Sequence, residues 1–143
     1  MTNSDKSVKT ASVNGEASDV VDASASPLRI IADHLGDVGH AMVLSSRIDG
    51  DTIELRVNAS DVASILAVVR NDRQAAFTQL IDLTAVDYPE RKDRFDVIYL
   101  LLSMNNNIRL RIVAAAGEGQ AVPSATGVFM NANWPEREAW DMF

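Results

Sequence analysis

The sequence predicts an α+β fold with two layers: a mainly antiparallel sheet of about five strands, two packing helices and short C-terminal helices. Three observations predict it. Two segments repeat apolar residues at helical spacing. Five others alternate apolar with polar residues or run apolar without a break, as strands do. The order is helix, two strands, helix, three strands, short helices, with none of the strict alternation that builds a parallel sheet.

Ser26-Pro27 opens the first helix, since a Ser side chain caps free N–H groups and Pro at the first position sacrifices none. Leu28, Ile31, Ala32 and Leu35 recur on one face and Gly36 is the expected stop, which predicts a helix over 27–35. Strands are expected over 41–48 and 52–58 around Asp49-Gly50, a type I′ hairpin signal. In the second, Ile53, Leu55 and Val57 should pack while Thr52, Glu54 and Arg56 stay wet. Ser60 is the expected cap of a helix striped by Val62, Ile65, Leu66 and Val69, with Asp61 at the positive end of its dipole.

The third strand, 79–86, should face Ile81, Leu83 and Ala85 inward. The charged connector 87–94 leads to a strand over 95–104, apolar enough to be buried on both faces. Asn105-Asn106-Asn107 supplies a turn tolerant of positive φ. Strand 108–113 alternates Ile108, Leu110 and Ile112 with Arg109 and Arg111. A short helix is expected around Val128, Phe129 and Met130, and another from Asn133, where Asn133 and Glu136 form a capping-box pattern with Pro135 in the first turn.

Composition bounds the function. The chain has 143 residues, suited to one domain over 27–143 behind a leader, 1–26, too poor in apolar residues to order itself. That leader lacks the apolar core of a secretory signal. The longest apolar run, Val97 to Leu102, falls far short of the roughly 20 residues a membrane helix needs. With no cysteine there are no disulfides, thiolate metal sites or cysteine-ligated clusters. A net charge of −7 argues against nucleic acid and anionic lipid as partners.

Few constellations carry chemistry. His34 and His40 have no evident carboxylate cluster and read as surface or half-buried histidines, not metal ligands. Gly117-Glu118-Gly119 lacks the third glycine of a phosphate loop and reads as a turn. Asp82, Asp87 and Asp96 could do acid–base work only if they converged; the preferred reading matches them to Arg91, Arg94, Arg109 and Arg111 on a wet face. Residues 133–143 stand out, holding both tryptophans with Phe143 and the charged set Glu136, Arg137, Glu138 and Asp141. Aromatic and arginine anchors on a short helix make a contact hot spot, with Trp140 and Phe143 sharing a face. The alternative, that Trp134 and Trp140 close the core, stands beside it.

These residues also resemble a family. Asp82-Leu83-Thr84-Ala85-Val86-Asp87-Tyr88-Pro89, Arg94-Phe95-Asp96-Val97-Ile98-Tyr99 and Val122-Pro123-Ser124 are similar to segments of the C subunit of proton-pumping NADH–quinone oxidoreductase. So, above all, is Asn133-Trp134 with Glu136-Arg137-Glu138-Ala139-Trp140-Asp141-Met142-Phe143, a specific signature of this 30-kDa subunit family of respiratory complex I. The resemblance covers residues 27–143. It implies a non-catalytic, peripheral subunit of the hydrophilic arm, beside the quinone-site subunit on the cytoplasmic side of the membrane. It implies no catalytic residue, cofactor or metal site in this chain; NADH oxidation, electron relay and quinone reduction fall to its partners.

The implied partner-binding residues are Trp134, Glu136, Arg137, Glu138, Trp140, Asp141 and Phe143, within a contact spanning 123–143. Related subunits serve in plastid-type complexes and membrane-bound hydrogenases, and a generic protein-binding module or a small enzyme with Asp87 or Asp96 as base are the rival readings. Family members continue past Asp-Met-Phe with Gly and a basic segment, so the resemblance implies a chain lacking that tail.

Overall fold

The computed structural model describes residues 26–143, so the predicted leader, apart from Ser26, lies outside the described residues. Helix α1 spans Pro27–Val38, with the Arg29 N–H donating to Ser26 Oγ at 3.2 Å, the cap expected of Ser-Pro. The helix passes through Gly36 and ends at Gly39. What matters there is size: a Cβ on Gly39 would lie 2.9 Å from the Leu35 carbonyl oxygen and 2.7 Å from Val43 Cγ2.

Strands β1 (Val43–Asp49) and β2 (Thr52–Asn58) form the expected hairpin. Only Gly50, the first of the two loop residues, has positive φ (61°), so the turn follows the II′ pattern and not I′. A 3₁₀ turn, Ala59–Asp61, absorbs Ser60, and helix α2 runs Val62–Asn71 without the Ser60 cap. Its stripe Val62, Ile65, Leu66 and Val69 is wholly buried, as the spacing predicts.

Strands β3 (Gln79–Asp87), β4 (Phe95–Ser103) and β5 (Ile108–Ala116) complete a sheet ordered β1-β2-β5-β4-β3. All neighbours are antiparallel except β2 and β5, which run parallel because α2, β3 and β4 intervene in the chain. A bulge between Leu80 and Asp82 turns Leu80 inward and leaves Ile81 53% exposed, against the simple alternation expected of β3. Asn107 (φ 52°) makes the tight β4–β5 turn.

The core fills one side of the sheet. Ile53, Leu55, Val57, Leu83, Tyr99, Leu101, Leu110 and Ile112 meet the buried stripes of α1 and α2, joined by Ala125, Phe129 and Ala132. Residues 128–130 form no α-helix; a turn leads to a 3₁₀ turn, Met130–Ala132, and then to α3, Asn133–Met142. On the other side of the sheet Ile98, Leu100 and Leu102 of β4 are only half-buried, so β4 is not sealed on both faces among the described residues.

Candidate functional site

Helix α3 is docked through a few contacts on its inner side. The Glu136 carboxylate, half-buried, accepts from Ser124 Oγ at 2.7 Å and from the Ala125 N–H at 2.5 Å. It does not reach back to Asn133, which is already helical, so the capping box does not form; Ala132 holds the cap position without a side-chain bond. The backbone preceding Asn133 is already turned into a 3₁₀ helix, and the loop 122–126 offers Glu136 a better pair of donors.

Ala139 packs on the core edge, and the Phe143 ring meets Phe95 edge-on at 6.4 Å. Burial pushes the Tyr99 hydroxyl well above its ordinary range, and the nearby Glu136 charge adds to that. Tyr99 therefore stays neutral beneath the helix.

The outer side of α3 is unpartnered among the described residues. Trp134 is 73% exposed and Trp140 85%, so neither tryptophan closes the core. Met130 at 88% and Met142 at 69% extend the apolar surface; both fall within the contact expected over 123–143, though neither was singled out in it. The signal for Met130 was its place next to the Asn133-Trp134 motif. The Arg137 guanidinium lies 5.6 Å from the Trp134 ring centroid.

Of the charged set on the helix, only Glu136 ties it down. The side chains of Arg137, Glu138 and Asp141 form no hydrogen bond or ion pair among the described residues; all three are exposed, with Arg137 lying beside the Trp134 ring. The seven predicted contact residues thus divide: Glu136 turns inward, Phe143 touches Phe95 yet stays 51% exposed, and Trp134, Arg137, Glu138, Trp140 and Asp141 are exposed. Between α3, the 117–124 loop and the ends of β3, β4 and β5 an open groove of about 1330 Å³ has Ala85, Phe95, Val97 and Ala116 on its floor.

The other candidates resolve into structural pairs. Asp87 takes two bonds from Arg94, at 2.6 and 2.7 Å, which hold its carboxyl below the usual range against the opposing effect of desolvation. Asp96 is paired with Arg91 at 3.2 Å, but it is buried at 3% exposure, not on a wet face. Asp82, at the bulge within β3, accepts from the Leu83 N–H, while Arg109 pairs with Asp51 and Arg111 with Glu54. No convergence of the three aspartates exists to do acid–base work.

His40 is exposed. The half-buried His34 places Nε2 2.9 Å from Asp72 Oδ2. Desolvation opposes ionisation of Asp72, yet its bonds from the Ala75 and Gln74 N–H groups and its contact with His34 outweigh that and lower its pKa. Gly117 to Gln120 is a turn closed by the Gln120 N–H donating to the Gly117 carbonyl. No helix among the described residues is long and apolar enough to cross a membrane.

Similarity to known proteins bears on what the exposed helix is for. Residues 55–143, from β2 to the end of α3, match the family described as "Respiratory-chain NADH dehydrogenase, 30 Kd subunit". The chain is 40% identical over 116 residues to the C subunit of NADH-quinone oxidoreductase from Rhizobium rhizogenes, covering 81% of this chain and 58% of that one. The C subunit from Rhodospirillum rubrum is 45% identical over 93 residues, 65% of this chain and 44% of that one. Its counterpart from Paramagnetospirillum magneticum is 46% identical over 91 residues, 64% and 46% of the two chains. The chain thus spans about half the length of these relatives. The helix with its paired tryptophans lies wholly inside the matched span, and the chain belongs to the 30-kDa subunit family of respiratory-chain NADH dehydrogenase.

Proposed function

We propose that the chain is a non-catalytic, peripheral-arm subunit of NADH:quinone oxidoreductase, whose segment 123–143 forms an assembly contact, chiefly with the quinone-site subunit. Its relatives are C subunits of NADH-quinone oxidoreductase, which supports its place in that complex. One observation carries the assembly role: Trp134 and Trp140 stand largely exposed on a helix anchored from its other side by Glu136. Two exposed indoles are costly to solvate and become binding anchors when a partner desolvates them. The site lies on the cytoplasmic side of the membrane, with electron transfer from NADH to quinone carried by the partners.

The test is co-purification of the Trp140→Ala and Arg137→Ala chain with the quinone-site subunit. An anchor lost from an interface centre costs about 2 kcal/mol or more, so recovery should fall at least about tenfold while the variant melts like the parent. Unchanged recovery of a folded variant refutes the assembly role.

A further inference from the structure

The sheet face turned away from α1 and α2 is covered by no helix among the described residues, yet it holds two nearly buried carboxylates, Glu54 at 5% and Asp96 at 3% exposure. What covers them is arginine. Glu54 meets Arg47 at 3.2 Å, Arg111 at 3.3 Å and Arg56 at 3.6 Å. Asp96 meets Arg91 at 3.2 Å and Arg56 at 3.8 Å.

The register explains how they gather. One row across the sheet reads Arg47, Glu54, Arg111, Leu100, Asp82, and the next reads Ser45, Arg56, Val113, Ile98, Thr84. A third, at the hairpin end, reads Asp49, Thr52, Arg109, Leu102, Gln79, where Asp51 neutralises Arg109.

The middle of the face therefore gathers four guanidiniums around two carboxylates, a local excess of two positive charges, bounded by the exposed Asp82 at the β3 edge and Asp49 at the hairpin end, in a chain of net charge −7. The four arginine side chains are 38–64% exposed. Each guanidinium has five N–H donors, so donors far outnumber the acceptors offered by the two carboxylates. Alongside runs an aliphatic column, Ile98, Leu100 and Leu102, half-buried with no helix over it.

We propose that this face is a second docking surface, seating an acidic protein segment whose carboxylates enter the arginine cluster while its apolar side chains cover the β4 column. Carboxylates satisfy the forked guanidinium donors, and the low-dielectric column beside them strengthens the pairing. The two internal carboxylates keep the arginines aligned before the partner arrives, which reduces the ordering cost of binding. A membrane surface is disfavoured, because no basic excess accompanies the cluster across a chain this acidic.

The inference rests on the reading of the chain as a complex subunit, and the experiment separates the two. The chain is co-expressed with the other subunits of the oxidoreductase, and carbene footprinting compares free with assembled chain. Labelling of Ile98, Leu100 and Leu102 should fall at least fivefold on assembly. Arg47→Glu with Leu100→Asp should lower incorporation at least tenfold, and Arg47→Lys should preserve it. The labelling arm uses the unaltered chain, so it decides the question even if the double variant fails to fold.

Unchanged labelling in a complex that contains the chain overturns the docking surface and leaves the subunit reading intact. Loss of labelling in the free chain with phosphatidylglycerol vesicles alone also overturns it, in favour of a lipid surface. Full incorporation of a folded Arg47→Glu, Leu100→Asp variant overturns the acidic partner. Absence of the unaltered chain from the purified complex overturns the subunit reading and the docking surface together.

Discussion

Gly39 and Gly50 look alike in the sequence and are needed for opposite reasons. Gly39 has an ordinary φ of −91°, but its α-carbon sits against Leu35 backbone and Val43, leaving no room for a methyl group. Gly50 has open space around it and a φ of 61° that other residues resist. Gly39→Ala should therefore destabilise by overpacking, about 1–3 kcal/mol, and Gly50→Ala by backbone strain, about 1–2 kcal/mol. Urea melts of the two variants measure this, and Gly50→Asn should recover most of the second loss because Asn tolerates positive φ, whereas Gly39→Asn should be worse than Gly39→Ala. Close approach between α1 and β1 is a tertiary fact. The hairpin requirement at Gly50 is local, and Asp49-Gly50 announced it.

Among the elements, α3 shows where local signals mislead. Asn133 and Glu136 have capping-box spacing, yet Glu136 bonds Ser124 and Ala125, residues brought near only by the 117–132 loop. Glu136→Ala should free the helix from that loop at a cost of about 1–2 kcal/mol. The Ala125 N–H should then exchange with solvent at least tenfold faster, and native-state hydrogen exchange reads this directly; unchanged protection would contradict the anchoring. Strand β3 carries the same lesson. Its alternation placed Ile81 inward, but the bulge at Leu80–Asp82 resets the side-chain phase, and a single extra residue is invisible in a pattern of period two. Helices α1 and α2 were legible because their stripes are local, and the buried residues of both fall on the predicted spacing.

Over the whole molecule, stability toward acid follows from two carboxylates. Asp72 and Asp87 both have pKa values below the ordinary 3.8. For Asp72, desolvation works against this and is outweighed by backbone N–H donors and His34; for Asp87 the cause is Arg94. A group with a depressed folded pKa stabilises the fold fully above its unfolded value, and the contribution is lost as pH falls through the folded one. The chain should thus hold a flat stability above about pH 5 and lose it below about pH 4. Asp72→Asn and Asp87→Asn should each lower stability at pH 7 and flatten the acid limb, as thermal melts from about pH 2 to 7 would show. Asp72→Asn should have the larger effect, because it also caps the turn at Gln74 and Ala75, while the Asp87–Arg94 pair is solvent-screened.

The sequence alone determined the α+β class, both packing helices, the strand set, the Asn turn and the family, because each rests on local periodicity, turn chemistry or a contiguous motif. It also singled out the segment holding Trp134 and Trp140. Only the tertiary structure decided that these tryptophans face outward, that Glu136 and not Asn133 fastens their helix, and that β2 runs parallel to β5. It alone placed Arg47, Arg56, Arg91 and Arg111 around Glu54 and Asp96 on a face expected to be merely wet. Those residues come from four strands and a connector, up to 64 positions apart in the chain (47 to 111). Alternation says which side of its own strand a residue takes, but strand order and register decide which charges share that side, and burial follows from that company.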